Sequence, residues 1–344
     1  MRTLIAGMDI GFGQVKVCIK KGDLNIQTLC FPRIFAEAKP NSWGLNNHCV
    51  YGMDGDRFYV GEEALSYQDS IIRRDYRDYV KDKTHLLCIC KALVELGIFN
   101  DSDNVRLKRL ILGLAPGHYS KANIKHMQRT ARCGVEFAFN HKINRFSAEN
   151  VKILPQGSGA FFAEILTDSG LVKEDNGYKK THGILDVGFR TTDFLIFENG
   201  QFIGEQEELS EDTGMRLVLE KLQSYIKKKY GKEEIEFLEP VLKGKSFEFR
   251  GEEHDLTDVV APLISDHIKK RIEPEVLRRW ESRINRMNKI IICGGGAYFF
   301  RDADGFLKEH RKQIFIPGQP EMSNAVGFCR YGIMQDNLQG FQVK

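Results

Sequence analysis

Asp9-Ile10-Gly11-Phe12-Gly13-Gln14-Val15-Lys16 lies near the start of the chain, and Asp186-Val187-Gly188-Phe189-Arg190-Thr191-Thr192-Asp193 follows 177 positions later. Laid over one another, Asp9-Ile10-Gly11-Phe12 falls on Asp186-Val187-Gly188-Phe189. Apolar residues precede each Asp. A strand-like run follows each loop and ends in a turn containing glycine, Gly22 in the first copy and Gly200 in the second. Two copies are not an array, so the repeat predicts a duplicated domain core. For either copy alone, an acidic residue in a hairpin turn is the plain structural alternative. The pairing makes the pattern specific.

The chemistry of the pair follows from its residue types. A strand ending in Asp-x-Gly sets a carboxylate at a sheet edge, beside a turn that glycine accommodates without strain. Backbone N–H groups of such a turn cradle phosphate oxygens. Two such loops facing one another predict a clamp on a polyphosphate. Asp9 and Asp186 then hold Mg²⁺, mostly through water, because this ion keeps much of its hydration shell. Lys16 neutralises phosphate charge, and Arg190, Thr191 and Thr192 offer a cation, hydroxyls and backbone donors.

Two further stretches extend the pattern. Ile290-Ile291-Ile292-Cys293-Gly294-Gly295-Gly296-Ala297 reads as a buried strand running into three glycines, where backbone approaches a flat ligand closely. It is neither the GxGxxG dinucleotide fingerprint nor a GxxxxGK[ST] loop. Pro155-Gln156-Gly157 sits at a strand-to-helix junction between the two aspartates. A glutamine amide there orients a water for in-line attack on a terminal phosphate. Alone, it would be an ordinary turn residue.

Around these motifs the periodicity predicts α/β structure twice over. Strands are expected at Leu4–Ile10, Val15–Lys20 and Leu24–Phe31, followed by an irregular stretch over 32–78 with a hairpin at Asp54-Gly55-Asp56. A helix over 79–96, a buried strand at Leu107–Leu114 and a turn at Ala115-Pro116-Gly117 come next. Then follow a helix from Ser120 to Arg132, two short strands, and a strand Val151–Leu154 entering a helix at Pro155–Ala160. The second half predicts strands Gly183–Val187 and Asp193–Phe197 joined to a hairpin turn at Asn199-Gly200, helices at 213–230 and 256–284, and a last helix over 323–335.

At 344 residues the chain has room for about two domains. Lys and Arg number 50 against 47 Asp and Glu, a net charge of +3, which argues against a basic surface wrapping nucleic acid. An apolar fraction of 42% with 28% charged residues is that of a globular protein with a real core. Lys227-Lys228-Lys229 and Lys269-Lys270-Arg271 read as solvated helix faces. No apolar run reaches the roughly 20 residues of a membrane helix, and the N-terminus has no signal-peptide core before Asp9. A cytoplasmic protein without a membrane anchor is therefore expected. None of the eight cysteines forms a CxxC pair. Buried free thiols are the favoured reading over zinc or disulfides.

The four motifs, in this order, resemble those of the actin/hexokinase/heat-shock-chaperone ATPase superfamily. Asp9–Lys16 resembles its first phosphate motif, Pro155–Ala160 its first connecting motif, Leu185–Asp193 its second phosphate motif, and Ile290–Ala297 its adenosine motif. Asn324-Ala325-Val326-Gly327-Phe328 resembles the second connecting motif. Size, the segment Phe58–Ala64, the strand-turn Leu112–Pro116 and the ending soon after the last motif look most like the ParM-type bacterial and archaeal actin-like proteins.

That resemblance implies a two-lobed α/β fold, with duplicated ribonuclease-H-like cores around a nucleotide cleft. Lobe I would comprise 1–165 and 318–344, and lobe II 166–317. It implies ATP, or GTP, with Mg²⁺. Asp9 and Asp186 would hold the metal, and Gln156 would position water. Gly11, Phe12, Gly13, Gln14 and Lys16 would line one phosphate loop, and Gly188, Phe189, Arg190, Thr191 and Thr192 the other. Gly294, Gly295 and Gly296 would flank the adenosine, and Gly214 would touch the nucleoside. The family further implies slow hydrolysis activated by assembly, head-to-tail filaments and a DNA-bound adaptor for DNA segregation. Phe189-Arg190 departs from the small residues usual there. A small-molecule kinase of the same superfamily is the alternative. Asp101, Asp103 and Asp175 read as loop residues, leaving no convincing acceptor base. A chaperone-like or cell-shape relative is a third reading. A chaperone's second domain has no room here, and no amphipathic anchor is evident.

Overall fold

The computed structural model describes residues 3–38, 49–72, 80–173, 177–203, 210–231, 238–301, 303 and 305–342. The start of the chain folds as a hairpin, β1 (Leu4–Ile10) against β2 (Gln14–Lys21), in a register that sets Asp9 opposite Lys16. A glycine turn leads to β3 (Gln27–Pro32), which begins later than expected because Leu24 closes the turn onto Lys21. The stretch read as irregular holds β4 (Phe35–Glu37), β5 (Tyr51–Met53) and β6 (Asp56–Val60), the last two joined by the expected hairpin, then α1 (Glu62–Leu65). Tyr79 lies outside the described residues. The helix α2 (Lys83–Glu95) starts where the Asp82 side chain accepts from the Thr84 N–H at 2.8 Å.

β7 (Asn104–Leu114) runs parallel to β1, and Pro116–His118 forms a 3₁₀ turn. α3 (Lys121–Cys133) is capped by Ser120, as predicted. β8 (Val135–Phe139) follows. The two strands expected up to Leu154 are one, β9 (Lys142–Pro155), because pairing with β8 carries the ladder through Asn144 and pairing with β7 carries it through Asn150. α4 (Ser158–Ile165) completes the first half. Its sheet has the order β3-β2-β1-β7-β9-β8-β5-β6-β4.

The second half repeats the plan. β10 (His182–Val187) and β11 (Thr192–Glu198) form a hairpin with Asp186 opposite Asp193, and β12 (Gln201–Ile203) follows the Asn199-Gly200 turn. β13 (Ser210–Glu211) pairs with β11 before α5 (Arg216–Tyr230) and the short α6 (Glu239–Leu242). A small hairpin, β14 (Phe247–Phe249) and β15 (Glu252–His254), precedes α7 (Thr257–His267).

The helix expected over 256–284 runs from Thr257 without a break but changes pitch along its length. A π turn spans Ile268–Ile272, then come α8 (Glu273–Trp280) and a 3₁₀ segment to Arg286. Pro274 has no N–H to return to the preceding turn, which opens the helix there. β16 (Lys289–Cys293) and β17 (Ile314–Phe315) extend the sheet, in the order β12-β11-β10-β16-β17. That order matches β3-β2-β1-β7-β9, strand for strand, so the repeat seen in sequence is a repeated core.

α9 (Ser323–Gln342) ends the chain and runs beyond the expected Gln335. Lys108 and Arg109 of β7 hold its Asp336 at 2.9 and 3.2 Å and tether that extra length. No helix among the described residues is long and apolar enough to cross a membrane. The lysine runs at 227–229 and 269–271 are exposed, as expected.

Two helices tie the halves together by crossing over. α4 leaves the first sheet, yet Ala160 and Phe161 pack against Ile184, Leu195, Phe197 and Ile291 of the second, with Phe161 stacked on Phe197 at 4.1 Å. α9 leaves the second sheet, yet Ala325, Cys329 and Ile333 pack against Ile5 and Cys18 of the first. Where the helices meet there is no room for side chains. A Cβ on Gly327 would lie 1.7 Å from the Gly159 carbonyl oxygen, and one on Gly159 would lie 2.4 Å from the Asn324 carbonyl oxygen.

Gly327→Ala must therefore push the helices apart. We expect a loss of about 3 kcal/mol, the upper end of overpacking penalties, read from the urea midpoint. Gly318→Ala, whose Cβ would meet nothing within 4 Å, is the control. Equal midpoints for the two variants would refute the close crossing.

Candidate active site

β1, β7 and β9 run parallel in one sheet, and β10, β16 and β17 in the other. Open α/β sheets bind ligands beyond the carboxyl ends of such strands. Here those ends face each other across one cleft of about 760 Å³, lined from the first half by Asp9, Gly11, Phe12, Gly13, Gln14, Lys16 and Gln156. From the second half come Asp186, Gly188, Phe189, Arg190, Thr191, Gly294, Gly295 and Gly296. The structure thus gathers nearly all of the residues read from the sequence.

The two loops close in the same way. The Gly11 N–H donates to the Gln14 carbonyl at 3.0 Å, and the Gly188 N–H to the Thr191 carbonyl at 2.9 Å. Two of the expected residues face elsewhere. Thr192 is buried, and its hydroxyl donates to the Thr213 carbonyl at 3.1 Å, so it pins the loop from behind. Gly214 is not part of the cleft wall. Its N–H donates to the Arg190 carbonyl at 2.8 Å, and a Cβ would strike the Phe189 carbonyl oxygen at 2.5 Å. It supports the loop from below, which is why α5 begins only at Arg216.

At the apex, the Gln156 amide donates to Asp9 Oδ1 at 2.5 Å. The Asn324 amide nitrogen donates to Asp186 Oδ2 at 2.6 Å and reaches Asp9 Oδ2 at 3.5 Å. Its oxygen accepts the Gly157 and Ala160 N–H groups at 3.0 and 3.2 Å, capping α4. Lys16 Nζ stands 3.9 Å from Asp9 Oδ2. Gly294 lets backbone pass against the carboxylate, since a Cβ there would fall 2.4 Å from Asp186 Oδ1.

The electrostatics are unbalanced. Asp9, Asp186 and Asp193 are all buried, with Lys16 as the cation beside them. Burial, and then the charge of Asp9, push the Asp186 carboxyl up to about 6. Burial and the neighbouring Asp186 push Asp193 well above the carboxylate range, although Ser210 donates to it at 2.5 Å. For Lys16, burial works downward, but the charges of Asp9 and its neighbours outweigh it and the net shift is upward. Like charges buried together favour a bound cation that offsets them.

Sequence reading missed several residues. Asp193 was discoverable, because the repeat carries Lys16 onto it. Asn324 stood in a quoted motif but was given no role, since an asparagine at a helix start reads as a cap. Met215, Leu219, Glu239, Leu242, Lys243 and Phe299 wall the end beside Gly295 and Gly296. Their motif-free spacing gave no signal.

The residues present fit a nucleotide and a divalent cation. The cleft is concave and lined by apolar and polar groups, as small-molecule sites are. Its apolar end is open beside Gly295, where a Cβ would meet nothing within 4 Å. Its polar end joins two phosphate-type loops to two underpaired carboxylates. Among the described residues no three His, Cys, Asp or Glu side chains cluster to hold an ion.

Comparison with known proteins matches two consecutive family models. Residues 7–159 match the N-terminal domain of actin-like proteins, and residues 184–304 match the C-terminal domain of an archaeal actin homologue described as MreB-like. No curated protein matches the chain. Among solved structures, the archaeal actin homologue Ta0583 superposes with a TM-score of 0.76 at 21% identity, over 98% of this chain and all of that one. The same protein in complex with ADP gives a TM-score of 0.74 at 20% identity, over 98% of this chain and 100% of that one. A 15-stranded ParM filament from Clostridium botulinum gives 0.72 at 22%, over 96% and 99% of the two chains. The actin-like protein Alp7A gives 0.78 at 12%, over 98% of each.

The raised Asp186 carboxyl makes the ligand-free protein pH-sensitive. An ordinary Asp loses its proton near 3.8, whereas the folded Asp186 keeps it to about 6. Between these values the folded state binds more protons than the unfolded one, so stability falls as pH rises through the window. The loss is on the order of 2–3 kcal/mol above it. Asp186→Asn should therefore melt higher than wild type at neutral pH, with the gain shrinking toward pH 4. A variant no more stable at neutral pH would refute the buried-charge account.

Proposed function

We propose that this chain, which belongs to the actin-like ATPase superfamily, binds ATP with Mg²⁺ between its lobes and couples slow hydrolysis to head-to-tail self-assembly. The cargo on this reading is DNA, reached through a separate adaptor protein in the cytoplasm. Lobe I on this reading is 1–165 with 318–344, and lobe II is 166–317. The observation that carries the proposal is the bridge Asp9–Asn324–Asp186 at the cleft apex, with a phosphate-type loop on either side. The ADP complex of an archaeal relative and the filament of a ParM relative support the same reading.

The roles follow from position. Asp9 and Asp186 hold the metal's water shell. When bound, Mg²⁺ neutralises charge on the terminal phosphates. The loops at Gly11–Gln14 and Gly188–Thr191 cradle the phosphates, and Gly294–Gly296 with Met215, Leu219, Leu242 and Phe299 enclose the base. The Gln156 nitrogen is engaged by Asp9, which leaves its oxygen to accept from the attacking water and orient it. A kinase needs a base at the acceptor hydroxyl. Asp103 is exposed and paired with Lys142 at 2.5 Å, at the opposite end of β7 from Gly113, the residue in register with Asp9. Asp101 is exposed beside it, and Asp175 lies outside the described residues. The polymerising ATPase is thus favoured over the kinase.

ATP with Mg²⁺ should raise light scattering at micromolar protein. Nucleotide binding without any rise would remove polymerisation from the proposal. Gln156→Ala should keep nucleotide affinity and slow phosphate release at least roughly tenfold. Wild-type turnover in that variant would remove Gln156 from catalysis.

A further inference from the structure

The second loop carries Arg190, whose side chain is held more lightly than those of Arg109 and Arg279. Arg109 is gripped by Asp336, the Gln335 carbonyl and Gln339. Arg279 is gripped by Glu211 and Glu275 above the Phe194 ring. Arg190 lines the cleft and has two lighter contacts. Its guanidinium lies 5.6 Å from the centroid of the Phe12 ring, and its Nε lies 3.4 Å from Asp212, whose side chain is 72% exposed. Exposed pairs and exposed cation–π contacts of this kind are weak. The backbone beneath is fixed, since the Arg190 carbonyl accepts from Gly214 at 2.8 Å.

The cations around the cleft differ in how far they are committed. Lys16 stands against Asp9 beneath Asp186, and Lys243 is paired with Glu239 at 2.8 Å. Lys243 and Arg190 both have solvated partners, and of the two Arg190 belongs to a phosphate-type loop. A guanidinium presents a planar fork that matches two phosphate oxygens, which an ammonium does not.

We propose that Arg190 is a catalytic residue: it leaves Phe12 and Asp212, contacts the terminal phosphate of the bound nucleotide and stabilises the charge that develops there during hydrolysis. The inference rests on the ATPase reading of the same cleft. In the step it serves, the water oxygen bonds to the terminal phosphorus and the bond from that phosphorus to the bridging oxygen breaks. The electron pair stays on ADP, and the water proton leaves to solvent through the phosphate product. Because Phe12 belongs to the first loop and Arg190 to the second, the arginine's release is tied to how the two halves of the cleft stand. Each chain thereby supplies its own arginine without a partner protein.

Wild type, Arg190→Ala, Arg190→Lys and Asp212→Ala are compared for ADP binding, binding of ADP with aluminium fluoride as a mimic of the transferring phosphate, and phosphate release. Arg190→Ala should bind ADP as wild type does, retain the fluoride complex far less well and lose about 100-fold in kcat. Arg190→Lys should fall between, keeping charge but not the fork. Asp212→Ala should keep or raise kcat. Equal weakening of ADP and of the fluoride complex would make Arg190 a general loop residue and overturn the proposal. Wild-type kcat in Arg190→Ala, or an Asp212→Ala loss as large as that of Arg190→Ala, would overturn it too. If wild type itself binds no nucleotide, the ATPase reading fails instead, and the arginine's role fails with it.

Discussion

The side-chain-free crossing of α4 and α9 sets everything else in place. Gly159 and Gly327 let the two helices touch backbone to backbone, and this seats Asn324 at the N-terminus of α4. From there one amide nitrogen spans carboxylates belonging to opposite sheets. Each helix packs against the sheet it did not come from, so the crossing is also the joint between the halves. Any change in how the helices cross moves Asp9 relative to Asp186. Lobe geometry and carboxylate geometry are therefore one variable.

That variable is under electrostatic load. Asp9 and Asp186, buried together beside Lys16, leave the cleft less stable than a neutral one would be. On the proposed reading, a cation and phosphates would reverse the balance, the cation screening the carboxylates and the loops receiving the anion. Ligand binding and lobe closure thus draw on the same energy. Affinity for a nucleotide would then come at the expense of stability without it, as at many functional sites.

Much of this was legible in the sequence, and the reason is the duplication. A repeat of Asp-x-Gly-Phe, each followed by a strand and a glycine turn, implies β1-β2-β3 and β10-β11-β12 once either copy is read. The three-glycine run and Pro155-Gln156-Gly157 fall at strand ends for the same reason. What stayed hidden lacks local pattern. Glu239, Leu242 and Lys243 lie in and beside a four-residue helix with no periodicity to detect. Thr192 has the right chemistry, but its hydroxyl is taken by the Thr213 carbonyl, a contact set by tertiary packing. The π turn follows from Pro274 meeting a helix that tertiary packing continues.

The two copies share geometry but have diverged in chemistry, and the divergence gives the cleft a direction. In register, Lys16 stands opposite Asp9 where Asp193 stands opposite Asp186. The carboxylate of the first half is held by a glutamine, that of the second by an asparagine. The first half thus presents a lysine and the Gln156 amide. The second presents a buried acid and, from its loop, an arginine. A symmetric site would grip a phosphate chain equally from either side and favour no bond in it. On the proposed reading, placing Lys16 and Gln156 on one side and Arg190 on the other would distinguish the face from which water arrives from the face that receives developing charge. The fold supplies the clamp by repetition, and the substitutions between its copies turn the clamp into a candidate catalyst.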